Sequence, residues 1–132
     1  MGVEKTVIIG LHDRSNLESF ADFFEASGFK VVKAKDLDEM KHSVIVYSDV
    51  TVGYIMDVNL GNPGSPDPSP CLEIYNAISA YVNDGRAMFA AISGSYDAIS
   101  NAEEQGIPKE YLLRKPFKLS PLLESLEKIT QS

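Results

Sequence analysis

The sequence predicts an α/β protein built on a doubly wound, five-stranded parallel sheet with helices on both faces. Five short apolar runs alternate along the chain with segments whose apolar residues recur at helical spacing. Strands separated by helices pair in parallel through right-handed connections. The first run, residues 6–11, is almost wholly apolar and rich in β-branched residues, which is typical of a central strand that is covered on both faces.

The size and composition of the chain fit one compact domain, which we expect to cover residues 1–132. With 44% hydrophobic and 23% charged residues, the chain is too apolar for a disordered protein. The formal net charge of -7 argues against nucleic-acid binding, because few cations would neutralise phosphates. There is no apolar run of membrane-spanning length and no signal pattern, so we expect a cytoplasmic protein without membrane contact. The single Cys71 excludes an internal disulfide.

The first half of the chain is predicted to hold three strands and two helices. The strands fall at residues 6–11, 29–34 and 50–56. Ser15 and Glu18 fit a capping box at the start of the first helix, which Gly28 would end. The second helix is expected at about 37–47, because apolar residues there recur at helical spacing.

The second half opens with an irregular stretch, residues 61–70, whose four prolines forbid a regular helix or ladder. Ser69 is the expected N-cap of the third helix, and Pro70 its first residue. The remaining elements are strands at 88–92 and 111–114, a polar helix at about 97–105, and a last helix that opens at Ser120.

Polar residues follow the predicted strands at one edge of the sheet. Asp57 directly follows the third strand, where it either serves as a ligand or nucleophile or merely caps a turn. The same edge collects His12, Asp13, Ser93 and Lys115 from the ends of the other strands. A carboxylate, a hydroxyl and a lysine in one pocket suit phosphoryl transfer, which depends on positioning and charge neutralisation, usually with a divalent metal. This convergence favours a functional Asp57.

Three short motifs lie at these strand ends, namely Met-Asp-Val-Asn-Leu at 56–60, Ile-Ser-Gly at 92–94 and Lys-Pro-Phe at 115–117. In this order and spacing, the chain from about residue 7 to residue 129 resembles the receiver domain of two-component response regulators, the CheY-like fold. Each motif alone is weak evidence for this family, whereas their combination is specific to it. The resemblance implies a flavodoxin-like strand order of 2-1-3-4-5.

The resemblance also implies a role for each residue of the pocket. Asp57 would accept a phosphoryl group from a phosphohistidine on a sensor histidine kinase or a phosphotransfer protein. Ser93 would hydrogen-bond a phosphoryl oxygen, and Lys115 would pair with the acidic pocket and the phosphate. A magnesium ion (Mg²⁺) would be held by Asp57, by Asp13 and by the backbone carbonyl of Asn59.

Other implications concern the surroundings of the pocket and the output. Gly94 and Pro116 would line the pocket beside His12, and the Lys115–Pro116 peptide bond would be cis. The domain would not be an enzyme beyond self-catalysed phosphotransfer and dephosphorylation. It would bind a downstream protein through the face formed by the fourth helix, the fifth strand and the fifth helix.

The sequence departs from the family pattern at the acidic pair that normally follows the first strand. Those positions hold Leu11 and His12, and neither is a suitable ligand, because Mg²⁺ prefers oxygen. Two interpretations follow. Either Asp13 turns inward and restores a weakened metal site, or the domain is a degenerate receiver that binds partners without phosphorylation.

Two further departures concern the loop at 61–70 and the position three residues before the lysine. The loop is longer than the family's usual turn, so it either shields Asp57 or is a tolerated surface insertion. Many receivers carry an aromatic switch residue where this chain has Leu112, with Tyr111 one position earlier. Leu112 is therefore the candidate switch, and signalling is expected to use a shift of the fourth helix and fifth strand.

The sequence is consistent with three candidate functions. The leading hypothesis is a phosphorylatable switch, and the second is a constitutive interaction module with the receiver fold. The third is a flavin-binding protein on the same architecture, which the fold alone does not exclude. Two observations argue against a flavin-binding protein. The loop after the first strand lacks a Ser/Thr/Gly-rich run that would bind a cofactor phosphate, and the chain has no Trp that could stack on a flavin.

Overall fold

The computed structural model describes residues 5–131 and shows a central parallel sheet. Its five strands are β1 (Thr6–Gly10), β2 (Lys30–Ala34), β3 (Thr51–Asp57), β4 (Met88–Ser93) and β5 (Leu112–Arg114). They are ordered β2-β1-β3-β4-β5. This arrangement confirms the predicted fold class and the strand order that the resemblance implied.

Helices connect the strands. They are α1 (Arg14–Ala26), α2 (Leu37–Val46), α3 (Ser69–Asn83), α4 (Tyr96–Glu104) and α5 (Ser120–Gln131). The strand β5 begins one residue later than predicted, because Tyr111 closes a short 3₁₀ turn through its N–H bond to the carbonyl of Pro108 (3.0 Å). Between residues 5 and 131, no helix is both long enough and apolar enough to cross a bilayer.

The start of α1 corrects the predicted capping box. Asp13, not Ser15, is the N-cap, and its carboxylate accepts a hydrogen bond from the backbone N–H of Asn16 (3.1 Å). Glu18 turns away from the helix terminus and pairs with Lys33 of β2 at 3.0 Å. Aspartate caps a helix at least as well as serine, so both residues were suitable caps. The predicted cap, Ser15, lies two residues after the observed one.

The start of α3 also differs from the prediction. The helix begins at Ser69, with Pro68 at the cap position and Pro70 as its second residue. The carboxylate of Asp67 accepts hydrogen bonds from the backbone N–H of Ser69 (3.0 Å) and from its hydroxyl (2.7 Å). Ser69 is therefore the first residue of the helix and not its N-cap.

The sheet separates two hydrophobic cores, as strand alternation requires. Along β1, Ile8 faces the core that includes residues of α2, α3 and α4, whereas Val7 and Ile9 face the core that includes residues of α1 and α5. Helices therefore cover both faces, as predicted. With both faces buried, the carboxyl ends of the strands form a fixed edge on which a site can be built.

One packing contact makes the attachment of α5 testable. A Cβ added at Gly53 of β3 would lie 2.7 Å from Cδ2 of Leu126, which shows how closely α5 approaches the sheet. Leu126 is fully buried. We expect Leu126→Ala to lower the free energy of unfolding by about 2–5 kcal/mol, because it removes buried methyl groups and leaves a cavity.

Chemical denaturation of Leu126→Ala and of Leu123→Ala provides the measurement. Leu123 lies on the same helix but is only half-buried, so its truncation should cost clearly less. Equal losses for the two variants would contradict the close packing of Leu126 on β3.

Candidate functional site

A pocket of about 180 Å³ opens at the carboxyl edge of the sheet. It is lined by His12, Asp57, Asn59, Gly64, Ser93, Gly94, Ser95 and Lys115. The predicted convergence of strand ends is therefore realised, because β1, β3, β4 and β5 each contribute residues at or just beyond their carboxyl ends. Asp57, Ser93 and Lys115 come together in one place although they are far apart in sequence.

Asp57 is the last residue of β3, and its side chain is only 3% exposed. Its Oδ2 atom accepts a hydrogen bond from the backbone N–H of His12 (2.9 Å) and lies 2.9 Å from the imidazole Nδ1 of the same residue. The Oδ1 atom lies 3.8 Å from Nζ of Lys115. The following turn is closed by the backbone carbonyl of Asp57, which accepts a hydrogen bond from the N–H of Leu60 (3.3 Å). The side chain of Asp57 lines the pocket and does not cap this turn.

Burial dominates the electrostatics of this carboxylate. Desolvation raises the pKa of Asp57, and the His12 N–H bond together with the neighbouring His12 and Lys115 side chains offsets this only in part. The nearby Asp13 adds to the rise of the pKa. The ionised form of Asp57 is therefore less favourable in the folded protein than in the unfolded chain.

Ser93 and Lys115 are held by the end of the sheet. The hydroxyl oxygen of Ser93 accepts a hydrogen bond from the N–H of Ser95 (3.0 Å), which leaves its O–H free to donate into the pocket. The backbone N–H of Lys115 bonds the carbonyl of Ser93 (2.9 Å). The Lys115–Pro116 peptide bond is cis, as the resemblance implied.

The long loop between β3 and α3 folds back onto the pocket. The side-chain amide of Asn59 donates to the carbonyl of Ser65 (2.8 Å), and Asn101 of α4 donates to the carbonyl of Pro66 (3.1 Å). Gly64 lines the pocket itself, with a positive φ of 83° that favours glycine. Of the two interpretations of the loop, this placement favours a cover beside Asp57, and its function stays a prediction.

Two predicted site residues lie apart from the pocket. Asp13 is exposed, and its carboxylate caps α1 instead of lining the cavity. Pro116 is exposed and is also absent from the lining. Leu11, which occupies one acidic position of the family pattern, is 1% exposed and packs into the core. The inward turn of Asp13 is therefore not supported by the geometry.

The groups around Asp57 do not fit a magnesium ion, which requires oxygen ligands in near-octahedral geometry. The carboxylate is flanked by the N–H and imidazole of His12 and by the ammonium of Lys115. The carbonyl of Asn59 already accepts a hydrogen bond from Asn62 (2.9 Å). Across residues 5–131, no three His, Cys, Asp or Glu side chains are grouped so that they could hold a metal ion.

The candidate switch residue Leu112 is 9% exposed and packs into the core beneath α3 and α4. Tyr111 is half-buried, and its ring lies 6.1 Å from that of Tyr75, between ring centroids. On the surface of the same region, the guanidinium of Arg114 lies 5.6 Å from the ring centroid of Tyr96, which is 65% exposed. The α4–β5 surface thus presents an aromatic ring and a cation to solvent.

Two lining residues, Gly64 and Ser95, were missed from the sequence. Ser95 carried a usable signal, because it follows Ser93 by two positions and is the N-cap of α4, where its hydroxyl accepts from Ala98 (3.2 Å). Gly64 carried none, since only the folding of a ten-residue loop brings it to the pocket.

Cys71 does not line the pocket. It is fully buried near the start of α3, and its thiol lies 3.3 Å from the carbonyl of Pro68. Burial raises the pKa of the Cys71 thiol to about 12, so the sulfur stays protonated at neutral pH and is a poor nucleophile.

Neither a family model nor a curated protein matches the sequence. The fold and the pocket define a doubly wound α/β protein with a polar site at the carboxyl edge of its sheet. Solved structures make the class more specific. A response regulator receiver domain protein from Clostridium thermocellum superposes with a TM-score of 0.68 at 17% identity, covering 96% of this chain and 95% of that chain.

Two other similar structures are a two-component response regulator from Clostridium difficile and a response regulator receiver protein from Pseudomonas putida. The first has a TM-score of 0.68 at 18% identity and covers 97% of both chains. The second has a TM-score of 0.65 at 19% identity and covers 97% of this chain and 99% of that chain. The chain therefore has the fold of response regulator receiver domains, and the resemblance drawn from its motifs is confirmed at the level of fold.

The raised pKa of Asp57 predicts a pH-dependent effect of Asp57→Asn on stability. Because the folded state binds the proton more tightly than the unfolded state, the ionised carboxylate destabilises the protein at neutral pH. We expect Asp57→Asn to raise the midpoint of thermal unfolding at pH 7 by a few degrees, the change that about 1 kcal/mol produces in a domain of this size.

The gain should shrink as the pH falls through the folded-state pKa, because the wild-type carboxyl is then neutral as well. Thermal unfolding followed by circular dichroism between neutral and acidic pH measures this. Asp22→Asn, on the exposed side of α1, is the matched control and should show no such gain. A gain that persists unchanged at acidic pH would contradict the proposed cost of the buried charge.

Proposed function

We propose that this protein is a two-component signalling module in which Asp57 accepts a phosphoryl group from a phosphohistidine on a histidine kinase or phosphotransfer protein. The observation that carries the proposal is the convergence of a carboxylate, a hydroxyl and an ammonium from β3, β4 and β5 on one pocket. The receiver-domain fold supports two-component signalling in general.

The contacts of Asp57 indicate which of its oxygens would react. His12 holds Oδ2 with two contacts at 2.9 Å, whereas Oδ1 has only the longer approach of Lys115 at 3.8 Å. Oδ1 would attack phosphorus, and the P–N bond of the phosphohistidine would break with its electron pair passing to the imidazole. Lys115 and the O–H of Ser93 would then neutralise charge on the transferred oxygens.

Phosphorylation would act on binding partners through its charge. It replaces the single negative charge of the Asp57 carboxylate with about two charges on the phosphoryl group, a net gain of about one in the pocket. The long loop offers a route outward, because Gly64 lines the pocket and the nearby carbonyl of Pro66 is bonded to Asn101 of α4. We propose that the output partner binds the α4–β5–α5 face, where Tyr96 and Arg114 are exposed.

One observation favours the second candidate, a constitutive interaction module. Leu11 replaces an acid with a buried apolar side chain, and His12 already satisfies Oδ2 of Asp57 without any phosphate. Such a pocket would be a structural element, and the output face would bind its partner in one permanent state.

Incubation with acetyl phosphate and excess Mg²⁺, followed by intact-mass measurement, distinguishes the two candidates. We expect the wild-type protein to gain the mass of one phosphoryl group and Asp57→Asn to gain none. Lys115→Ala should slow the reaction by about 10²-fold, because it removes a cation aimed at the developing charge. Lys118→Ala is the matched control, since Lys118 is exposed and lies outside the pocket lining.

Absence of any adduct in the wild-type protein would exclude the phosphoacceptor and leave the constitutive module. An adduct that persists in Asp57→Asn would place the modification on another residue.

A further inference from the structure

We propose that phosphoryl transfer to Asp57 needs no divalent cation, because His12 and Lys115 make the contacts around the carboxylate that a metal ion would otherwise make. This inference rests on the proposed function and concerns the cofactor requirement of the same pocket.

His12 lies beside one oxygen of the Asp57 carboxylate. Its backbone N–H and its imidazole Nδ1 both lie 2.9 Å from Oδ2 of Asp57. An Nδ1–H imidazole donates a hydrogen bond to this oxygen whether or not the ring carries a charge. The side chain is only 30% exposed, so it occupies the space beside the carboxylate where a cation would have to bind.

Among residues 5–131, no carboxylate other than that of Asp57 lines this pocket. Leu11 is directed into the core and its backbone N–H bonds the carbonyl of Ala34 (3.1 Å), which continues the pairing of β1 with β2. Asp13 is committed to the N-terminus of α1 through its bond to Asn16. With Asp57 as its one carboxylate among these residues, a Mg²⁺ ion in the unphosphorylated pocket would have one anionic protein ligand and would face the ammonium of Lys115.

The pocket also contains hydrogen-bond donors for an incoming phosphoryl group. Lys115 supplies an ammonium, Ser93 an O–H, and the partly exposed His12 ring lies at the rim. Donors that are already in position stabilise developing negative charge without reorganising during the reaction. These groups can therefore take over charge neutralisation, which is the main task in phosphoryl transfer.

With acetyl phosphate as the donor, the step balances without a metal ion or an external proton. A lone pair on Oδ1 of Asp57 forms the new O–P bond, the P–O bond to the acetyl group breaks, and acetate leaves with that electron pair. One carboxylate is consumed and one is released, so the total charge is unchanged.

The decisive measurement is the rate of phosphorylation of the wild-type protein by acetyl phosphate, in EDTA and in excess Mg²⁺, followed by intact mass. We expect the two rates to agree within about twofold, whereas a metal that neutralised the transferring group would contribute tenfold or more, about 1.4 kcal/mol. A rate at least about tenfold higher with Mg²⁺ would overturn this inference and leave the proposed function intact. No adduct in either buffer would overturn both.

A reciprocal variant tests the role assigned to His12. His12→Asp places a second carboxylate beside Asp57, and we expect it to create Mg²⁺ binding and a rate that rises by about tenfold or more with the metal. His42→Asp makes the same chemical change at an exposed position on α2 and should leave the rates in both buffers unchanged.

Isothermal titration calorimetry with Mg²⁺ on the unphosphorylated proteins gives a readout that does not depend on transfer. We expect no saturable binding by the wild-type protein and saturable binding by His12→Asp. If the variant does not fold, as judged by circular dichroism, the wild-type titration decides alone. Saturable Mg²⁺ binding by the wild-type pocket would contradict the inference.

Discussion

The register of the parallel sheet is the constraint on which the pocket depends. Asp57 pairs with Ile92 across β3 and β4, and Ser93 pairs with Arg114 across β4 and β5. The ladder extends just past the strands, because the N–H of Lys115 bonds the carbonyl of Ser93 at 2.9 Å. A shift of one residue in the pairing of a strand would turn its side chains to the opposite face of the sheet and separate the residues of the site. Burial of both faces makes such a shift costly.

Within this frame, Asp57 is a buried anion stabilised by donors that come from other strands. The His12 N–H and imidazole hold one oxygen at 2.9 Å, and Lys115 approaches the other at 3.8 Å. Burying a charge is unfavourable unless it is paired and hydrogen-bonded, and these contacts compensate only part of the cost. A carboxylate whose burial is only partly compensated is a candidate functional group. The proposed conversion of Asp57 to an acyl phosphate would change the negative charge that the neighbouring donors neutralise.

Much of the fold and of the site could be predicted, and the errors have a common cause. The strands were found because each contains a short apolar run, and the convergence of Asp57, Ser93 and Lys115 followed from the shared edge of parallel strands. The predictions of the helix caps failed because several polar side chains near each helix start can accept hydrogen bonds from backbone N–H groups. Asp13, not Ser15, caps α1, and the carboxylate of Asp67 binds the N–H of Ser69 at α3. Local patterns do not decide between such equivalent acceptors.

The amino-acid sequence by itself determined the order of strands and helices, the two-sided burial of the sheet and the residue types at its carboxyl edge, since these follow from hydrophobic periodicity and chain order. Only the tertiary structure decided which atoms meet. His12 contacts Asp57 across 45 positions of the chain, and Leu11 is turned into the core. Side-chain direction at a strand end depends on the register and the packing of neighbouring strands, and no local pattern encodes these.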